Sequence, residues 1–245
     1  MSRRRGAGPG WRQRVKDLSH AVGVEVAEWR PPDRRLAGFL TRHGVAAVLD
    51  VGANQGQFGR SLRAAGFTGR IVSFEPLAEP YGLLASAASA DPLWEVRRHA
   101  LGDIEEERTI NVAGNSASSS FLDMGAEHLA AVPEAEYVGA ETVRIMRLDD
   151  IVDSLSLDGA VTLLKLDVQG FEKPVLDGAR LALGSVTAVQ CEMSVLPLYD
   201  GEAALPDLIA DLRRRGFELE ELEPGLHDRA TGRILQFDGR FVRRV

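Results

Sequence analysis

Two glycines four residues apart, at the end of an apolar run, are the part of this chain best suited to hold a ligand. The run Val48–Val51 leads into Gly52-Ala53-Asn54-Gln55-Gly56 and then into a helical pattern beginning near Gln57. Gly52 and Gly56 let the backbone turn tightly and approach a molecule that a Cβ would exclude. The free N–H groups of the following helix would point into the same space. The dinucleotide pattern G-x-G-x-x-G is not met, because Asn54 and Gln57 stand where its second and third glycines belong. A carboxylate follows at a telling distance. The segment 70–75 reads as a buried strand that Pro76 terminates, which leaves Glu75 at its carboxyl end, 23 residues beyond Gly52. One helix plus one strand later is where a βαβ nucleotide-binding unit puts the acid that accepts from two ribose hydroxyls.

Two more carboxylates end later strands. The apolar run 161–167 closes on Asp167 and continues as Val168-Gln169-Gly170-Phe171-Glu172, and the next strand closes on Gln190, Glu192 and Ser194. Carboxylates at neighbouring strand ends can share a divalent cation such as Mg2+ through oxygen ligands, or one can act as a general base while the other orients an acceptor. A purely structural Glu192–Lys165 pair beneath the site is the competing reading. His227 is a third candidate for proton transfer, whereas His20, His43, His99 and His128 read as structural.

These groups need a sheet whose strand ends meet along one edge. Strands are predicted near 46–51, 70–75, 94–101, 161–167, 186–193, 217–223 and 234–244, with helices near 57–66, 77–88, 172–183 and 203–215 between them. The last helix carries Leu205, Leu208, Ile209 and Leu212 at helical spacing, and Gly216 supplies its stop. This alternation predicts an α/β fold: a doubly wound, mostly parallel seven-stranded sheet. The last two strands lie too close together for a helical crossover and should pair antiparallel at one edge. Residues 104–150 break the alternation. They combine a polar 109–111 stretch, the serines of 116–120, a loop at Pro133 and a strand near 142–148, and read as an insertion over the carboxyl ends of the strands. Ahead of the sheet, helices are expected over 11–30 and 33–43, split by Pro31-Pro32, so that residues 1–44 form a basic arm with helices and 45–245 the main domain.

Composition sets the outer limits. A chain of 245 residues suits one α/β domain with a large core. No apolar run approaches the roughly 20 residues that span a bilayer, and the start lacks the apolar stretch of a secretory signal. The single Cys191 allows no disulfide within the chain, which fits a reducing, cytoplasmic setting. A net charge of −7 argues against a nucleic-acid partner, although residues 1–16 carry six basic side chains and no acid. Trp11, Val22, Val24, Val26 and Trp29 need a covering surface, either the domain itself or a second copy in a homodimer.

The spacing Asp50-x-Gly52-x-x-x-Gly56 resembles the first motif of S-adenosylmethionine-dependent methyltransferases. With SFEP at 73–76, ALGD at 100–103, LDD at 148–150, LKLDVQGFE at 164–172, QCEMSVLPLYDG at 190–201 and TGRILQFDGRFVRR at 231–244, the chain is similar to the FkbM family of methyltransferases over roughly residues 45–245. The resemblance implies a Rossmann-like methyltransferase fold and transfer of the S-adenosylmethionine methyl group to a hydroxyl of a sugar, glycan or related natural product. It implies further that Asp50, Gly52, Asn54 and Gly56 hold the methionine part, Glu75 the ribose, and Leu101 with Asp103 the adenine rim. Phe58, Pro76 and Asp167 complete the expected cofactor shell. The loop Asp167-Val168-Gln169-Gly170 lacks the paired prolines of amino-directed methyltransferases, which favours an oxygen acceptor. A nicotinamide-dependent oxidoreductase and a noncatalytic nucleotide- or RNA-binding module are the alternatives.

Overall fold

The computed structural model describes residues 32–157 and 159–244. The chain runs α1 (Pro32–Arg42), β1 (Ala47–Val51), α2 (Gln57–Ala64), β2 (Arg70–Phe74), α3 (Ala78–Ala88) and β3 (Trp94–Arg97), then β4 (Ala100–Leu101) and β5 (Glu106–Ala113). It continues through α4 (Ala126–Ala131), β6 (Tyr137–Met146), α5 (Leu148–Ile151), β7 (Thr162–Leu166), α6 (Glu172–Asp177), β8 (Val186–Ser194), α7 (Leu205–Arg214), β9 (Phe217–Pro224) and β10 (Gln236–Arg243). Seven strands form one sheet in the order β3-β2-β1-β7-β8-β10-β9. The pairs from β3 to β8 are parallel, while β10 runs antiparallel to both β8 and β9. The mostly parallel seven-stranded sheet with its antiparallel closing pair is the one expected from the strand and helix alternation.

Strands β1 and β7 are buried along their whole length, so both of their faces need cover. Successive side chains divide between two cores. Val48, Ile71, Leu163 and Ala188 point to one side, where Leu36, Phe39 and Leu40 of α1 and Leu62 of α2 meet them. Leu49, Val72, Leu164 and Val189 point to the other, against Val175 and Leu176 of α6 and Leu208 and Leu212 of α7. Thus α1, which precedes residue 45, packs into the same core as β1. The helix expected over 11–30 and the basic arm lie outside the described residues.

Three expectations need correction. The strand expected over 94–101 is two: β3 stays in the main sheet beside β2, whereas β4 leaves it to pair in parallel with β6. An extended pattern is local, but the choice of partner strand is not. The 104–150 segment is built around a long antiparallel β5–β6 hairpin, which with β4 makes a second, three-stranded sheet. Its polar 109–111 stretch is part of β5, and the strand near 142–148 is β6, which begins at Tyr137 and stops before Leu148 opens α5. The helix over 172–183 ends at Asp177. Beyond it the Asp149 carboxylate accepts from the N–H groups of Leu181 (2.9 Å) and Ala182 (2.8 Å), starting a separate turn.

Candidate active site

The carboxyl ends of β2, β1, β7 and β8, with the start of the antiparallel β10 beside them, line a cavity of about 520 Å³. Such a position, outside the strand ends of an open sheet, is where α/β folds hold ligands. The β5–β6 sheet contributes Ile110, and the loop after β5 brings Ser116 over the opening. Ser116 Oγ lies 3.2 Å from Asn54 Nδ2, which ties the inserted segment to the glycine turn.

At one end of the cavity stands Glu75, only 5% exposed. One of its carboxylate oxygens accepts from Asn54 N and the other from Leu77 N, both at 2.9 Å, so it joins the β1–α2 turn to the β2–α3 turn. Burial pushes its carboxyl up to about 7 against the lowering effect of these two bonds. Gly52 (φ 78°) and Gly56 (φ 83°) take left-handed conformations, and so does Asn54 (φ 46°). Gly52 has a second reason to lack a side chain: a Cβ there would lie 1.8 Å from the carbonyl oxygen of Asp167. It allows contact between the β1 and β7 exits, in addition to leaving the cavity wall bare.

Asp50 serves beneath the site. Fully buried, it lies 3.1 Å from the Lys165 ammonium and accepts from Ser73 Oγ at 3.1 Å, which in turn accepts from Trp94 Nε1. Lys165 also donates to Gly52 O (3.2 Å), sits 3.3 Å from Asp167 Oδ2 and lies 5.3 Å from the Phe58 ring centroid. Burial opposes its charge, but Asp167 and Asp50 outweigh that and hold it protonated. The competing reading of a structural Lys165–Glu192 pair is not met: Lys165 pairs with Asp50 and Asp167.

At the other end Gln169 joins the carboxylates. Its Nε2 donates to Asp167 Oδ1 and to Glu192 Oε2, both at 2.8 Å, and Gln236 Nε2 donates to the same Glu192 oxygen at 2.9 Å. The buried Tyr199 hydroxyl donates to Gln169 Oε1 at 2.7 Å, and Ser120 Oγ donates to the Gln169 carbonyl at 2.6 Å. Gln169 itself is held at φ 52°, an uncommon conformation for a residue with a side chain. Burial, with Asp167, Asp238 and Glu172 nearby, drives the Glu192 carboxyl well above the ordinary carboxylate range.

This arrangement does not suit a divalent cation. An amide N–H₂ bridges Asp167 and Glu192, the Lys165 ammonium occupies the far side of Asp167, and among the described residues no three His, Cys, Asp or Glu side chains group to hold a metal ion. A cation needs converging oxygens, not donors.

Of the residues singled out from sequence, Gly52, Asn54, Phe58, Glu75, Pro76, Leu101, Asp167 and Glu192 line the cavity. Asp50 and Gly56 lie behind its wall. Asp103 is exposed, and His227 is exposed in the β9–β10 hairpin, where it bridges to Ile234. Sequence reasoning gave no role to Gln169 or to Asp238, which lines the cavity from β10. A polar residue directly before a glycine, just past a strand that ends in an acid, was the available signal for Gln169.

Comparison with known proteins gives the lineage. Over 209 residues the chain is 30% identical to the AMB antimetabolite synthetase AmbE of Pseudomonas aeruginosa, an alignment covering 71% of this chain and 10% of that protein. It is 24% identical over 201 residues to the 2-O-methyltransferase NoeI of Sinorhizobium fredii, covering 79% of this chain and 81% of that one. The chain thus spans about a tenth of AmbE and about four fifths of NoeI. An uncharacterized protein from Listeria monocytogenes serotype 4b shares the fold, with a TM-score of 0.50 at 8% identity over 89% of this chain and 69% of its own. The methyltransferase FkbM domain model matches residues 50–219, from the buried Asp50 under the cofactor-type turn through all the carboxylate-bearing strand ends except β10, and the chain belongs to the FkbM methyltransferase family.

Proposed function

We propose that this chain is an S-adenosylmethionine-dependent O-methyltransferase that acts on a hydroxyl of a sugar, glycan or related natural product. One observation carries the reading: Glu75 offers two carboxylate oxygens at the end of β2, inside a cavity whose far end holds the Asp167–Gln169–Glu192 cluster. The first suits a ribose, the second an acceptor alcohol. The cavity is of the size that small-molecule sites require. The similarity to NoeI, named a 2-O-methyltransferase, supports oxygen as the acceptor atom.

When bound, the cofactor supplies an already activated sulfonium methyl group. The chain's own task is positioning and proton removal. Glu75 holds the ribose end, the bare turn at Gly52–Asn54 admits the amino-acid tail, and Phe58 and Leu101 give apolar walls. Asp167, fixed by Lys165 and Gln169, sets the edge between cofactor and acceptor. Glu192 takes the hydroxyl proton at Oε1, since its Oε2 already accepts from two amides. Burial and its acidic neighbours raise this carboxyl, which makes the ionised form a stronger base than an exposed glutamate but reduces the fraction ionised, so turnover should rise with pH.

Ribose hydroxyls donate, so the ionised form of Glu75 is the one that binds. With its carboxyl pushed up to about 7, affinity for S-adenosylhomocysteine should strengthen as pH rises through that value. If only the anion binds, the gain between pH 6 and pH 7.5 is roughly eightfold. Calorimetric titration at both pH values checks it, and the Glu75→Gln variant should flatten the profile. A pH-independent wild type would contradict the assignment. In thermal shift, S-adenosylhomocysteine should stabilise the protein and NADH should not; stabilisation by NADH alone would favour the oxidoreductase.

A further inference from the structure

The cavity floor presents one group per strand. Along the sheet edge, in the order β2, β1, β7, β8, β10, stand Glu75, Gly52, Asp167, Glu192 and Asp238. Four strand spacings separate the first from the last, about 19 Å. A cofactor anchored by its ribose at Glu75 and its tail at Gly52 therefore leaves the β8–β10 end to the acceptor. There Asp238 stands directly opposite Glu192 in the antiparallel register. Facing side chains on such a pair have Cβ atoms about 5 Å apart.

Asp238 differs from the other carboxylates of the wall. Glu75 accepts from two backbone N–H groups, Asp167 from Gln169 with Lys165 beside it, and Glu192 from Gln169 and Gln236. The Asp238 carboxylate makes no hydrogen bond or ion pair with any described residue. Lining the cavity without a protein donor, its oxygens are open to a donor that a ligand brings. Burial, followed by the nearby Asp167, pushes its carboxyl up to about 6, so it is mainly an acceptor at neutral pH. Among the described residues the one ammonium lining the cavity, Lys165, is committed to Asp50 and Asp167. The acceptor end therefore presents acids and no uncommitted ammonium to an acceptor that carried a carboxylate or phosphate of its own.

We propose that Asp238 is the second acceptor-contacting carboxylate and that the acceptor is an uncharged vicinal diol, with the methylated hydroxyl against Glu192 and its neighbour against Asp238. Two acceptors on adjacent strands match two donors on adjacent carbons. The neighbouring hydroxyl then decides which oxygen faces the methyl group. This inference rests on the O-methyltransferase reading and assigns its substrate class.

The test begins with S-adenosylhomocysteine binding to the wild type, then follows methyl transfer from S-adenosylmethionine to methyl glucoside, methyl mannoside and methyl rhamnoside. Their monodeoxy analogues and methyl glucuronoside complete the set. At least one neutral glycoside should be methylated, with kcat/KM falling about 30-fold or more when the neighbouring hydroxyl is removed, and the glucuronoside should be a poor substrate. Asp238→Asn should keep cofactor affinity within about twofold, lose a similar factor on the diol and discriminate little against the deoxy compound. Asp238→Ser, checked with it by thermal melting, guards against a folding defect in either variant. Equal wild-type turnover of diol and deoxy analogue, unchanged discrimination in a folded Asp238 variant, or failure of every neutral glycoside with a protein that binds S-adenosylhomocysteine would overturn the inference. A wild type that does not bind S-adenosylhomocysteine would instead overturn the methyltransferase reading beneath it.

Discussion

Glu192→Gln should lose roughly 10²- to 10⁴-fold in turnover while binding S-adenosylhomocysteine within about twofold of the wild type. The substitution keeps the shape of the side chain, and its amide oxygen can still accept from Gln169 and Gln236. What it removes is the basic oxygen facing the acceptor. It also removes a buried group whose charge Asp167 and Asp238 oppose. The melting temperature should therefore stay level or rise, which separates a chemical defect from a structural one. Single-turnover methyl transfer alongside thermal melting checks both parts. A variant with wild-type turnover would move the base elsewhere, with Asp167 next in line.

Gly52→Val should abolish measurable cofactor binding. Its Cβ would lie 1.8 Å from the Asp167 carbonyl oxygen and 2.8 Å from the carbonyl carbon, so the β1 and β7 exits must separate. The left-handed backbone at φ 78° adds strain of about 1–2 kcal/mol, more for a branched side chain. Both effects fall on the turn that meets the cofactor, while the cores on the two faces of the sheet are untouched. Circular dichroism should show the fold retained with a lowered melting temperature, and titration should show no binding. Native affinity would mean that the turn holds nothing.

How far the sequence could be read depends on how local each signal is. The strand ending at Pro76, the glycine turn and the 23-residue step to Glu75 all lie within one βαβ unit, and the structure puts them at one end of one cavity. The antiparallel closing pair was legible because so few residues join β9 to β10. The split of 94–101 was not, since β3 and β4 share an extended pattern and differ only in their partners. Asp238 was missed for a topological reason. Its strand runs against the others, so its site-facing residue lies near the strand's beginning, where a search of strand ends does not look. Asp50 is the converse: it belongs to the motif, yet its side chain turns away to clamp Lys165 and Ser73.

Glu75 bears most directly on whether this cavity holds the methyl donor. Titration of S-adenosylhomocysteine into the wild type and Glu75→Ala at pH 7.5 should give tight, stoichiometric binding to the first and a loss of about 1–3 kcal/mol in the second, because two ribose hydroxyls would lose a charged acceptor. Equal affinity in a folded Glu75→Ala protein would place the cofactor elsewhere and contradict the reading of this cavity.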